Sequence, residues 1–327
     1  MMDSHTAMSF THRFNQLLVA VLPLVPRPIV KAISSSYVAG ETMDEMLTCV
    51  AKLNALGARC TIDLLGEYIT HMDQAHETAR AYHTIVEQLA KKGLDANVSV
   101  KPTALGLLMD GNTCHQLIEG IVAKAASTPI DGKAPLVRLD MEHSDCTTPT
   151  IHLYLTLRQQ FTNVGIVLQA YMRRTLGDVR HMCSQLAGAG GAHFRLCKGI
   201  YVEPRTIAFK DKDTINKNYV LVLEEMLKQG AFVGIATHDE RLVWEACRLL
   251  DEYKVPKDKY EFQMLLGVDE AMRDMILGWG HPLRIYVPYG KDWYGYCTRR
   301  LKENPTVAGH VFNATMRKWF PWVFHAA

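Results

Sequence analysis

FVGIATHDERLVWEACRLLDEYKVPKDKYEFQMLLG, residues 232–267, decides how the chain folds. It opens on a short apolar run, FVGIATH (232–238), and closes on another, YEFQMLLG (260–267). Between them lies DERLVWEACRLLDEY (239–253), with apolar residues at helical spacing and an acidic first turn that suits the positive end of a helix dipole. The flanking runs are too short for helices. They are also too continuously apolar for strands with one wet face, and that pattern belongs to parallel strands covered on both sides.

The unit recurs along the chain. RCTIDLLGE (59–67), NVSVKPT (97–103), LVRLDME (136–142), VGIVLQAY (164–171), HFRLCKG (193–199) and LRIYVPYG (283–290) bring the number of such runs to eight. Segments of helical period separate them. HETARAYHTIVEQLAKKG (76–93) stops on two lysines and a glycine, and DTINKNYVLVLEEMLKQG (213–230) starts on Asp213 and Thr214 and also stops on glycine. Eight strand–helix units predict an α/β fold, a closed (βα)8 barrel of the TIM type, rather than an open doubly wound sheet. No linker or low-complexity stretch divides the chain. Residues 1–57 are expected to form a helical arm, including ETMDEMLTCVAKLNALG (41–57), residues 58–305 the barrel, and residues 306–327 an apolar tail ending in WFPWVFHAA.

Bulk properties exclude several functions. Net charge is only +2, from 36 basic and 34 acidic residues interspersed without a basic run, so a nucleic-acid footprint is not expected. The eight cysteines are scattered with no CxxC pair, which fits a reduced intracellular compartment better than a disulfide scaffold or a zinc site. No HxH or clustered His and carboxylate set stands at metal spacing, so no metal is expected. AGAGGA (187–192) precedes a strand rather than a helix and reads as a loop, not a dinucleotide fingerprint. QLLVAVLPLVPRPIV (16–30) is apolar but broken by Pro23, Pro26 and Pro28, so it reads as a packing arm able to touch a membrane surface and not as a span.

Barrel enzymes place their chemistry at the C-terminal ends of the strands. There this sequence presents Lys101, Asp140 with Met141 and Glu142, Gln169, Arg195 with Lys198 and Tyr201, Thr237 with His238, Leu265, and Tyr286. Each has a bland reading: Lys101 and Asp140 as a structural bridge, Arg195 snorkelling from the barrel bottom, His238 as a satisfied core histidine, Met141 as core. Their convergence on one face outweighs those readings. After the last strand, GYCTRRLKENP (295–305) sets Arg299 beside Arg300 in a helix. Lys101, Arg195, Lys198, Arg299 and Arg300 against Asp140 make a cation-rich site suited to a carboxylate or phosphate. Lys101 or Lys198 could alternatively serve as a Schiff-base lysine in a barrel enzyme of another class.

SVKPTALG, RLDME, LQAY, RLCKGIYVEP, ATHDE, EFQMLLG, RIYVPYG and YCTRRLKENP occur in that order, one per strand from the second onward, with YVAGET (37–42) ahead of them. The ordered set resembles the proline dehydrogenase family in its short bacterial, single-activity form, over residues 36 to 305. Cys197 departs from it, standing where the family often has valine. The resemblance implies an FAD-dependent oxidation of L-proline to Δ1-pyrroline-5-carboxylate, by hydride transfer from C5 to the flavin N5, with electrons passed to a quinone. It implies active-site roles for Asp140 and Arg195, and substrate contacts from Lys101 (paired with Asp140), Leu265, Tyr286, Tyr296, Arg299 and Arg300. Arg299 and Arg300 are the carboxylate clamp, with Glu303 three residues on from Arg300. It implies FAD contacts from Met141, Gln169, Lys198, Gly199, Ile200, Tyr201, Thr237 and His238, with Glu303 grouped beside them, and a mobile region over the flavin at 201–219. Hydroxyproline is the rival substrate, disfavoured by the bulk of Tyr286. A cytoplasmic enzyme is expected, with transient peripheral contact at the inner membrane. Deleting residues 1–33 is expected to abolish partitioning onto lipid vesicles in a sedimentation assay; unchanged partitioning would show that the arm does not provide it.

Overall fold

The structure is a computed structural model that describes residues 36–66, 69–188 and 190–303, and of residues 299–303 the backbone alone. The apolar arm at 16–30 and the tail at 306–327 lie outside the described residues.

All eight apolar runs form strands: β1 (Arg59–Leu64), β2 (Ala96–Val100), β3 (Val137–Leu139), β4 (Val164–Gln169), β5 (His193–Cys197), β6 (Phe232–Ala236), β7 (Tyr260–Leu265) and β8 (Leu283–Tyr289). Each pairs in parallel with the next, and β8 closes on β1, from Arg284 opposite Arg59 to Tyr289 opposite Leu64. The helices are α1 (Met43–Ala55), α2 (Met72–Lys91), α3 (Gly111–Ala126), α4 (Ser144–Gln160), α5 (Thr175–Gln185), α6 (Lys212–Lys228), α7 (Glu240–Glu252), α8 (Glu270–Gly278) and α9 (Trp293–Glu303). The helix expected over 41–57 is α1. Its start is set by a capping box, in which the Thr42 side chain accepts from Glu45 N and the Glu45 carboxylate accepts from Thr42 N. Its buried face, Met46, Leu47, Val50 and Leu53, lies against β1 and β8.

Between strands and outer helices the packing is apolar, aliphatic side chains joined by buried Tyr82, Tyr154, Tyr219, Phe194 and Phe262. Inside the barrel it is not. Period-2 alternation sends Arg138, Arg195, Glu261, Gln263 and Arg284 inward, each 6% exposed or less. At the lower end Arg284 Nε donates to Glu261 Oε1 (2.7 Å) and Arg284 Nη1 to Cys60 O (2.6 Å). Arg138 Nη1 donates to His193 O (3.2 Å). A buried charge persists only when paired or hydrogen-bonded. This interior is therefore a bonded network rather than the layers of branched aliphatics usual in such barrels.

Two strand glycines make room for it. A Cβ on Gly165 would stand 2.7 Å from Arg138 Nη1 and 3.0 Å from His193 O, and one on Gly234 would stand 2.4 Å from Gln263 Nε2. Both lie in apolar strands, where glycine otherwise costs stability. Gly165→Ala is accordingly expected to destabilise the fold by about 1–3 kcal/mol through overpacking, measured by urea unfolding; a neutral or stabilising change would mean that Arg138 can move aside freely.

Candidate active site

The residues singled out at strand ends gather at one end of the barrel. Asp140 follows β3 and is tied to β2 by its own N–H, which donates to Val100 O (2.9 Å). Its carboxylate is the hub. Oδ1 accepts from Ser99 Oγ (2.6 Å) and from Arg195 Nη1 (3.0 Å), and Oδ2 accepts from Tyr286 Oη (2.8 Å). Arg195 does not snorkel outward. Its Nε donates to Gln263 Oε1 (2.5 Å), and its guanidinium lies 5.2 Å from the Tyr286 ring centroid. One carboxylate thus joins β2, β3, β5 and β8. Burial pushes the Tyr286 hydroxyl well above its ordinary pKa, and the Asp140 charge pushes it the same way. Tyr286 is thus held as a hydrogen-bond donor.

Lys101 does not pair with Asp140, as the sequence had implied. Its Nζ meets Asp63 Oδ1 at 2.5 Å, one strand to the other side. Asp63 is almost fully buried near the end of β1, and the first strand had been credited with no site residue. Burial raises its pKa, opposed by Lys101 and seconded by the charge of Asp140. The signal for Asp63 was present: an acid inside an apolar strand, the same pattern that picked out Asp140. Ser99 and Gln263 carried no such signal, because a lone small polar residue or amide in a strand has many uses.

The site is less cationic than the bare residue list implied. Lys198 Nζ is also taken, by Asp239 Oδ2 at 2.6 Å, which Asn216 Nδ2 shares at 3.0 Å. Lys101, Arg195 and Lys198 therefore each face a carboxylate. Arg299 and Arg300 have their backbone in α9, and their side chains, like that of Glu303, are outside the described residues. That helix is anchored at its base. Tyr296 and Cys297 pack with Tyr37 and Leu65, Ala39 N donates to Pro288 O (2.9 Å), and Gly290 (φ +127°) turns the chain out of β8.

The residues assigned to the flavin line the β3 to β6 side. Gln169 is buried, and its Nε2 donates to Glu142 O (2.8 Å) and Met141 O (3.3 Å), leaving Oε1 buried without a partner among the described residues. The Met141 side chain packs into the main core. Gly199, at φ +106°, passes so close to Tyr171 that a Cβ would stand 2.1 Å from the ring. His238 Nε2 accepts from Leu265 N (3.0 Å), which ties the β6 and β7 ends together, while Leu265 stands opposite Tyr286 in register. Thr237 is buried, Ile200 is exposed, and the Tyr201 ring meets His143 edge-on at 6.2 Å. The segment at 201–219 is only partly a loop. Residues from 212 onward belong to α6, Glu203 accepts from Ser144 N (2.7 Å) and Oγ (2.9 Å) at the start of α4, and Phe209 N donates to Tyr171 O (2.8 Å). Glu142, just past Asp140, is buried as well and accepts from Thr103 N (3.0 Å) and from the Thr103 hydroxyl. Among the described residues no group of three or more His, Cys, Asp or Glu could hold a metal ion.

Asp63→Asn keeps the shape of Asp63 but removes the carboxylate from Lys101. Breaking one side of a buried pair costs about 3–5 kcal/mol, so urea unfolding should show a loss of that order, and the Asp63→Asn, Lys101→Met double variant should lose less than the sum of the two singles. Strict additivity would mean that the two side chains do not couple.

A family model described as proline dehydrogenase matches residues 46–312. Proline dehydrogenase of Deinococcus radiodurans is 32% identical over 311 residues, covering 91% of this chain and 97% of that one. Proline dehydrogenase 2 of Bacillus subtilis is 30% identical over 285 residues, covering 87% and 91%. In structure the chain is similar to proline utilization A of Bdellovibrio bacteriovorus inactivated by N-propargylglycine, with a TM-score of 0.80 and 24% identity over 90% of this chain, which spans 37% of that longer one. The matched region takes in the seven strands from β1's first residue onward to β7, then β8 and the helix bearing the arginine pair, and on that extent the chain belongs to the proline dehydrogenase family.

Proposed function

We propose that the protein oxidises L-proline to Δ1-pyrroline-5-carboxylate with FAD as its cofactor and a quinone as the final electron acceptor. The observation that carries this reading is the Arg195–Asp140–Tyr286 cluster at the C-terminal end of the barrel, next to a helix with two adjacent arginines. The family membership and the relatives' names support the same substrate.

The chain fits a flavin by its own features. Gln169 offers a buried acceptor with no partner among the described residues, and Gly199 gives a close-approach backbone turn between Lys198 and the exposed Ile200. Gln169, Lys198, Gly199, Thr237 and His238 would hold the cofactor, with Met141, Ile200, Tyr201 and Glu303 beside it. When bound, the flavin supplies the hydride acceptor. The remaining work is orientation and charge. Arg299 and Arg300 take the substrate carboxylate, for which a guanidinium fork is well shaped. Tyr286, Leu265 and Tyr296 wall the ring. The ring nitrogen must be uncharged for its lone pair to assist loss of hydride from C5, and its proton leaves to solvent as the C=N bond forms. Asp63 and Asp140 would favour a protonated amine, but each already faces a cation, and Arg299 and Arg300 on the substrate carboxylate would disfavour one. Lys101 and Lys198 sit against carboxylates at 2.5 and 2.6 Å, which does not suit the free amine of a Schiff-base enzyme. Tyr286 is held by Asp140 and cannot swing away to admit a ring hydroxyl without breaking that bond, which favours proline over hydroxyproline.

No helix among the described residues is long and apolar enough to cross a membrane. Delivery of electrons to a quinone is proposed to bring a cytoplasmic protein to the surface of the inner membrane, a reading that rests on the family resemblance.

The test is an anaerobic visible spectrum of the purified protein before and after L-proline. Flavin bands that bleach with L-proline, and far more slowly with hydroxyproline, are expected. Arg299→Ala or Arg300→Ala should raise KM for proline at least about 30-fold, the equivalent of about 2 kcal/mol. A colourless protein that cannot be reconstituted with FAD would overturn the assignment.

A further inference from the structure

The polar column inside the barrel leads directly to Arg195. At its foot Arg284 Nε and Gln263 Nε2 both donate to Glu261 Oε1, each at 2.7 Å. Glu261 is fully enclosed; burial would raise its pKa, but Arg284 and the hydrogen bonds from Arg284 and Gln263 outweigh that and hold it below its ordinary value. A charged Glu261 is acceptor-only, so the amide beside it must present its NH2. That choice turns Gln263 Oε1 the other way, where it accepts from Arg195 Nε at 2.5 Å. Arg195 is then held at two points. Nη1 goes to Asp140 and Ser99, and Nη2 has no hydrogen-bond partner among the described residues. Gly234 leaves the space that Gln263 fills, since a Cβ there would stand 2.4 Å from its amide.

We propose that Gln263 is the positioning residue for Arg195: its amide, oriented by Glu261 and Arg284 beneath it, aims the guanidinium so that Asp140 takes Nη1 and Nη2 is left for the bound ligand. The inference rests on the assignment of Arg195 to the reacting centre. A neutral amide suits this place. It satisfies Arg195 Nε without a second carboxylate to compete with Asp140 for the guanidinium, and it separates the Arg284–Glu261 pair below from the Arg195–Asp140 pair above.

The experiment compares Gln263→Met, which keeps length but offers no acceptor, with Gln263→Glu, which in its protonated form can accept from Arg195 and donate to Glu261 as the amide does. Gly234→Ala displaces Gln263 without deleting it. The first readout needs neither flavin nor substrate: the Nε–H resonance of Arg195, assigned by its loss in Arg195→Lys, in a 1H–15N spectrum. It should be sharp and slow to exchange with solvent in the parent and in Gln263→Glu, and broadened by exchange in Gln263→Met and Gly234→Ala. The second is proline-driven flavin bleaching by the holoenzyme. Gln263→Met should lose about 10- to 100-fold in kcat, the penalty of a misplaced catalytic group. Gln263→Glu should stay near the parent at low pH and fall away from it as pH rises and the carboxyl ionises. An Arg195 resonance indifferent to Gln263→Met and Gly234→Ala overturns the proposal, whatever the fate of the proline reading. So does a Gln263→Met holoenzyme with unchanged kcat, or equal losses in Gln263→Met and Gln263→Glu at every pH. A parent that binds flavin but is not bleached by proline, with the Arg195 resonance still dependent on Gln263, overturns the proline reading and leaves the pairing standing.

Discussion

A guanidinium stands near the centre of this barrel, and much of the interior is arranged so that it can. Arg195 is 6% exposed and donates to side chains on β2 and β7 and to Asp140 beyond β3. A lone buried cation costs several kcal/mol, and that cost falls as the groups around it offer acceptors. Asp140 and Gln263 meet that demand from opposite sides, and Glu261 and Arg284 in turn satisfy Gln263. The glycine at position 234 then has a plain cause, since any side chain there would occupy the volume of the amide. What would have been an aliphatic barrel core is replaced by two ion pairs joined through one amide.

The upper end of that network is rich in charge and yet close to balanced. Three cations and three carboxylates neutralise one another pairwise: Lys101 with Asp63, Arg195 with Asp140, Lys198 with Asp239. The adjacent arginines of α9 are the cations proposed to meet the substrate carboxylate. Pairing within the barrel fixes direction, because a bonded side chain has one orientation. The helix that bears the arginines must itself be held, which is the part played by Tyr37, Leu65, Tyr296 and Cys297 at its base.

The eight strands, the helical segments between them and the residues that gather at one end of the barrel were all legible in the sequence. They follow from local pattern: continuous apolar runs, helical spacing, glycine and lysine stops. The positions at strand ends were legible for the same reason, since a charged residue in an apolar strand announces that something will pair with it. The identity of the partner was not. Lys101 was matched with Asp140, the acid at the end of the neighbouring strand, and the structure gives it Asp63 instead. Asp140 was taken from it by Arg195, Ser99 and Tyr286, which approach from three other strands.

The chain alone thus determined what kinds of group face the pocket, because strand alternation and the rule that active sites lie at the strands' C-terminal ends are properties of short segments. Only the closed barrel decided who bonds to whom. Strand register and closure of β8 on β1 bring Asp63, Asp140 and Tyr286 within reach of one another although up to 223 positions separate them in sequence. Gln263 shows the difference most clearly. Read along β7 it is one amide in an apolar strand, without a signal of its own. Placed in the barrel, between a carboxylate that accepts from it and a guanidinium that donates to it, its two ends acquire fixed and opposite tasks.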